Sequence, residues 1–240
     1  MIEGNTKDLN STNIKLNIFI YGSFGSGKTW FCGTMPKPYL ICTERIPQGL
    51  GLAGINAQYV KCEHFSEVLR VLDEIASGRR AQDYESICLD SLSDLTPLVM
   101  QFVLEMGSVK KTVMSQPMWG MAVDYLRNIC RRLANDIPKL GKHVCVTARA
   151  CTIQDEITKT VIGLPETIGK FAYMAPALFD LVLYTEQTTQ TVASVTKGKF
   201  TVHTVEHNNF KAKDGLGVLA AEEPNDFKAI FEKVRLKKPS

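Results

Sequence analysis

Gly22-Ser23-Phe24-Gly25-Ser26-Gly27-Lys28-Thr29 is the stretch that decides how this 240-residue chain folds. It fits G-x-x-x-x-G-K-[ST] at every fixed position. Glycines let the backbone turn tightly, so that several N–H groups point inward at one anion. A helix is expected to open at the end of the run and to add its positive dipole end. In such a loop Lys28 reaches the outer phosphates of a nucleotide, and the Thr29 hydroxyl can hold Mg²⁺. Residues 22–29, with the adjoining Trp30, are therefore the expected phosphate-binding segment.

Working outward, KLNIFIYG (15–22) is a short apolar run ending in glycine and reads as a buried strand. PYLICTE (38–44), SICLDS (86–91), HVCVTA (143–148) and DLVLYT (180–185) read the same way. Apolar residues at 65, 68, 69, 72, 75 and 76 fall on one face of a helix, and further helices are predicted near 92–106, 118–137, 168–178 and 224–234. Asn225 or Asp226 is the expected N-cap of the last one. Strands alternating with helices imply an α/β fold, with a mainly parallel sheet and helices on both faces. The alternating run 191–206 predicts an antiparallel hairpin at one edge, turning around Lys197-Gly198. Residues 1–13 read as a flexible tail, and 14–240 as one domain without repeat or linker.

Composition sets bounds rather than function. Net charge is +3, from 28 basic and 25 acidic residues, too small to argue for or against nucleic acid. Seven cysteines occur without a C-x-x-C pair, and Cys42, Cys88 and Cys145 lie in apolar runs. They read as reduced core thiols of a cytosolic protein. No segment approaches eighteen consecutive apolar residues, and the polar N-terminus is unlike a secretory leader, so no membrane partner is expected.

Nucleotide hydrolysis needs a second carboxylate. Asp90 ends the run Ile87-Cys88-Leu89 and is the expected partner of Thr29 in positioning Mg²⁺; the bland alternative is a helix N-cap. The residue after it is Ser91, so the group that activates water must come from elsewhere. Glu44 ends the strand that follows the phosphate-loop helix. In a parallel sheet the carboxyl ends of the strands open onto the ligand, so Glu44 and Asp90 should face the same phosphate.

Together these residues resemble the RecA-like branch of P-loop ATPases, in which the catalytic glutamate follows the strand after the P-loop helix. The similarity is to phage-encoded RecA-like nucleotide-binding proteins, the "AAA domain" phage family that includes Sak-type single-strand annealing proteins. IFIYGSFGSGKTWF, KPYLICTERIPQGL, SICLDSLSDL, HVCVTARA and PETIGKFAYMAPALFDLVLYTE carry it, over about residues 15–215. The resemblance implies a RecA-like P-loop NTPase core, ATP and Mg²⁺ as cofactors, and hydrolysis of ATP. It also implies single-stranded DNA as partner, a homo-oligomer with nucleotide at the subunit interface, and a single-strand binding protein as a further partner. A phage origin would place it in the host cytoplasm. The family's γ-phosphate sensor is usually glutamine or asparagine; here Thr147 and Arg149 occupy that region. Its K-x-R finger reads Lys211-Ala212-Lys213, with lysine where the arginine would be.

Lys170 follows the polar segment 149–167, where RecA-like proteins carry DNA-binding loops. Lys170 and Lys213 are candidate catalytic cations acting on a neighbour's phosphate, and Arg149, Lys159 and Lys170 are candidate contacts to a DNA backbone. Phe24 and Trp119 could stack on a base. His64, His143, His203 and His207 lack metal spacing in sequence and receive no role. A DNA-recombination ATPase is the leading expectation. The alternatives are a P-loop small-molecule kinase, which needs an arginine-bearing lid that is not evident here, and a non-catalytic nucleotide switch.

Overall fold

The computed structural model describes residues 14–106, 113–154, 159–192 and 195–236, without side chains at 190–192 and 195–197. The expected tail 1–13 and the basic pairs Lys110-Lys111 and Lys237-Lys238 lie outside the described residues. Strand β1 (Asn17–Gly22) is buried along its whole length because it has a parallel neighbour on each side. Gly22 pairs with Arg149 of β5 (His143–Gln154) and with Thr185 of β7 (Leu181–Val192). A strand covered on both faces must be apolar throughout, which is why NIFIYG has no polar alternation.

Beyond β5 follow β4 (Ser86–Asp90), β2 (Pro38–Cys42) and β3 (Gln58–Lys61), all parallel. On the other side β7 pairs antiparallel with β8 (Val195–His203), and β8 with β10 (Glu222–Pro224). The short β9 (Lys213–Asp214) pairs with the start of β7. Among the described residues this makes a ten-stranded sheet, ordered β10-β8-β7-β1-β5-β4-β2-β3, with β6 (Val161–Pro165) added antiparallel to β5. This is an α/β core, with the loop-bearing β1 and the Asp90-bearing β4 separated by β5.

Side-chain alternation assigns the helices to two layers. Ile18, Ile20, Leu40, Cys88 and Cys145 meet α1 (Lys28–Thr34), α2 (Gln48–Leu52) and α7 (Phe227–Leu236). Phe19, Tyr21, Ile41, Leu89 and Val146 meet α3 (Phe65–Ala76), α4 (Leu92–Glu105), α5 (Gln116–Arg131) and α6 (Phe171–Ala177). Asp226 caps α7, accepting from the amides of Lys228 and Ala229. Six of the seven cysteines are buried and all are free. Among the described residues no helix is long and apolar enough to cross a membrane.

Three expectations need correction. The hairpin pairs Val192 with Val195, and Lys197-Gly198 lies within β8, not at the turn. The polar segment 149–167, where a loop is expected, contains strand on both sides of its middle: β5 runs on to Gln154 and pairs with β6, Ala150 opposite Pro165. The helix expected to reach 137 ends at Arg131 and continues as a π turn, Arg132–Asp136.

Candidate functional site

At the carboxyl end of β1 the chain turns through residues 22–27 into α1. Gly25 and Gly27 take left-handed backbone angles, φ 73° and 88°, which side chains disfavour. Gly22 is needed for space: a Cβ there would lie 2.1 Å from the carbonyl oxygen of Thr185. The loop is held from below by residues the sequence did not single out for it. Thr185 Oγ1 donates to the Ser26 carbonyl at 2.7 Å, and Asn225 Nδ2 donates to the Gly27 carbonyl at 3.1 Å. Asn225, considered above as a helix cap, serves the loop instead.

Lys28 donates from Nζ to the loop carbonyls of Gly22, at 3.0 Å, and Ser23, at 2.8 Å. Burial lowers its pKa, while Asp90 and Glu44 pull the other way and Arg149 adds to the lowering. Its ammonium thus sits over the loop with two carboxylates near.

Asp90 is buried at the end of β4, and both its oxygens are engaged. Thr29 Oγ1 donates to Oδ2 at 2.7 Å, and Thr147 Oγ1, from the intervening β5, donates to Oδ1 at 2.5 Å. The Asp90–Ser91 peptide is cis. It is Ser91, not Asp90, that caps α4, its hydroxyl accepting from the Asp94 amide at 3.3 Å. The Thr29 hydroxyl and the Asp90 carboxylate form a hard-oxygen pair. Such a pair fits Mg²⁺, which keeps several waters and takes few protein ligands beside phosphate oxygens.

Glu44 follows β2 and lines the same cavity as Gly25, Lys28, Thr29 and Arg149. Its pKa is raised, chiefly by burial and then by Asp94 and Asp90, with Arg149 and Lys28 opposing. Arg149 is locked in a network. Its Nη1 donates to Asp94 Oδ2 at 2.6 Å and its Nε to Glu166 Oε2 at 2.5 Å, while its own amide donates to Ser93 Oγ at 2.9 Å. It therefore lines the phosphate cavity and is not a free cation for a DNA backbone. Lys159 and Lys170 are exposed.

Phe24 projects from the loop at 87% exposure, and Phe200 of β8 closes the cavity beside Gly27. Phe200 carries no sequence signal, because only the pairing of β8 with β7 brings it to the loop. Trp30 is half-exposed on α1 at the cavity rim, and Trp119 lies on α5, outside the cavity lining. Lys170 begins α6, and Lys213 sits on β9 opposite Val182, toward the amino end of β7, with Nζ on the Phe179 carbonyl at 2.6 Å. Lys211 pairs with Glu206 at 2.6 Å. None of these three lysines lines the cavity.

A family profile described as "AAA domain" matches residues 14–216. No curated protein matches the chain by sequence. Among solved structures, the chain is similar to the flagellar accessory protein FlaH from Methanocaldococcus jannaschii at 12% identity, covering 93% of this chain and 94% of that one, with a TM-score of 0.45. It is also similar to a KaiC-like protein from Pyrococcus horikoshii OT3 at 10% identity, covering 78% of this chain and 77% of that one, with a TM-score of 0.43.

Proposed function

This chain belongs to the AAA domain family, and from that premise we propose that it is a Mg²⁺-dependent ATPase acting in DNA recombination, binding single-stranded DNA as a homo-oligomer. The observation that carries the ATPase reading is the convergence of Lys28, Thr29 and Glu44 on one cavity, with Asp90 bonded to Thr29. Lys28 exchanges its loop carbonyls for the outer phosphates of ATP. Thr29 and Asp90 hold the cation, with Thr147 fixing the second Asp90 oxygen. When bound, Mg²⁺ spreads the charge that develops on the transferred phosphoryl group. Glu44, its basicity increased by burial, accepts the proton of the attacking water. Arg149, beside the same cavity, ties any rearrangement there to Asp94 and to Glu166 at the foot of the β5–β6 hairpin.

Single-stranded DNA is the proposed partner, with the β5–β6 hairpin and the exposed Lys159 and Lys170 as its contact region. Because phosphate contacts would dominate, affinity should be insensitive to sequence and fall with salt at a slope of about −0.7 per contact. Fluorescence anisotropy with a labelled oligonucleotide tests this, without nucleotide, with ADP and with a non-hydrolysable ATP analogue. Binding is expected to be tightest with the analogue. An absence of binding in every state at low salt and micromolar protein defeats the recombination reading and leaves a nucleotide switch.

A further inference from the structure

On the face of the sheet away from α1, side chains of β7, β8 and the turn after β8 meet. Glu186 follows Thr185 on β7, His203 ends β8, and His207 lies in the turn beyond it. Their ligating atoms all lie within 4.8 Å of one another. Glu186 Oε1 is 2.9 Å from His203 Nε2 and 3.5 Å from His207 Nε2. Donors about 2.0–2.1 Å from a tetrahedral ion stand about 3.3 Å apart, so these two distances bracket the required separation.

A satisfied core histidine would account for His203, which is 2% exposed and bonded to Glu186. It does not account for His207, whose Nε2 faces the same carboxylate oxygen. The Asn208 amide nitrogen lies 2.9 Å from that Nε2. In the tautomer with Nε2 unprotonated, this ring nitrogen is an acceptor that could exchange the Asn208 amide for a metal ion. In that tautomer His207 Nε2 and Glu186 Oε1, 3.5 Å apart, are two acceptors that one cation would bridge.

We propose that Glu186, His203 and His207 form a site for one divalent transition-metal ion of the zinc class, separate from the nucleotide cavity. Two imidazoles and one carboxylate, with a position left for water, are a donor set for zinc and not for Mg²⁺ or Ca²⁺, which take oxygen. The two rings stack at 3.7 Å with 8° between their planes, so their lone pairs run side by side. His207 must tilt to converge on the ion. Its side chain is 31% exposed and sits in a turn closed by its own backbone bonds to Phe210, leaving the ring room to do so. The bound ion would clamp this turn to β7, next to Thr185 and Tyr184, which support Ser26 and Ser23 of the phosphate loop.

The test uses the full chain, stripped with a chelator and kept free of nucleotide. Zn²⁺ binding is measured by equilibrium dialysis, and Co²⁺ is added as a spectroscopic probe. One ion per chain is expected, with intensified visible Co²⁺ bands that report nitrogen ligands in low coordination. His207→Ala and Glu186→Gln should each weaken Zn²⁺ binding by about tenfold or more, with the circular dichroism of His207→Ala unchanged. No uptake at micromolar metal overturns the proposal. So does equal affinity in wild type and both variants, which would put the ion on other groups such as Thr29 and Asp90. If His207→Ala does not fold, His207→Gln and the wild-type Co²⁺ spectrum decide; weak, oxygen-only bands overturn the site.

Discussion

Glu44 and Lys28 lie in one cavity, yet their loss should read differently. Lys28→Ala removes the cation that meets the outer phosphates, so tight ATP binding and turnover should both fail. Glu44→Gln keeps size and polarity but cannot take a proton, so ATP binding should persist while hydrolysis slows about a hundredfold or more. Phosphate release and nucleotide binding, measured in parallel, separate the two. The pH profile adds a signature. Burial, with Asp94 and Asp90 nearby, raises the Glu44 pKa, and a base must be ionised to act. The acid limb of kcat should therefore lie above the ordinary carboxylate range, with the rate falling as pH drops through it. A limb that survives unchanged in Glu44→Gln would assign the base elsewhere. The positions of both were legible in the sequence, Lys28 from the glycine pattern that precedes it and Glu44 from its place after an apolar run. Arg149 and Thr147 also end such a run, but their partners Asp94, Glu166 and Asp90 come from other elements and could not be read from it.

At the level of elements, the first residues of β5 show how a strand end can set acid stability. His143 is buried, and its Nδ1 accepts from the Leu16 amide at 3.0 Å, so it serves as a neutral acceptor at the entry to β1. Burial, assisted by Lys15 and opposed by Glu85, lowers its pKa from 6.5 to about 4. The unfolded chain therefore binds this proton first as pH falls, and the folded state loses stability between about 6.5 and 4. Above that window the contribution is fully present and amounts to about 3 kcal/mol at most. Urea unfolding across the window should show the loss. His143→Asn, which keeps an acceptor but does not titrate there, should flatten it; an equal slope in the variant would remove His143 as the cause. Periodicity found the central strands because they are buried on both faces. It missed β3, which is exposed and paired on one side only, and β6, whose Val-Ile-Gly-Leu-Pro run has little alternation.

For the whole molecule, the proposed sharing of the site between subunits makes the decisive prediction. Lys213 and Lys211 are engaged within their own chain, whereas Lys170 is exposed and, among the described residues, has no ion-pair partner. Lys170 is thus the best placed of the three to reach a neighbour's nucleotide. Mixing Lys28→Ala with Lys170→Ala chains should restore some ATPase activity, because a mixed interface combines an intact loop with an intact lysine. No recovery at any ratio, with mixed oligomers verified by native mass spectrometry, would count against sharing. The sequence by itself determined the glycine-rich loop, the α/β core, Asp90 at the end of β4 and the place of Glu44, two residues beyond β2. Those features are local: a glycine pattern over eight residues, and apolar runs whose length and spacing declare burial. Only the tertiary structure decided what the strand order brings together. It set Thr29 and Thr147 on the two oxygens of Asp90, hung Arg149 between Asp94 and Glu166, laid Phe200 and Asn225 against the loop, and joined Glu186 to His203 and His207. Such contacts depend on which strands are neighbours and which face each side chain takes. That is fixed by long-range pairing, which no spacing along the chain encodes.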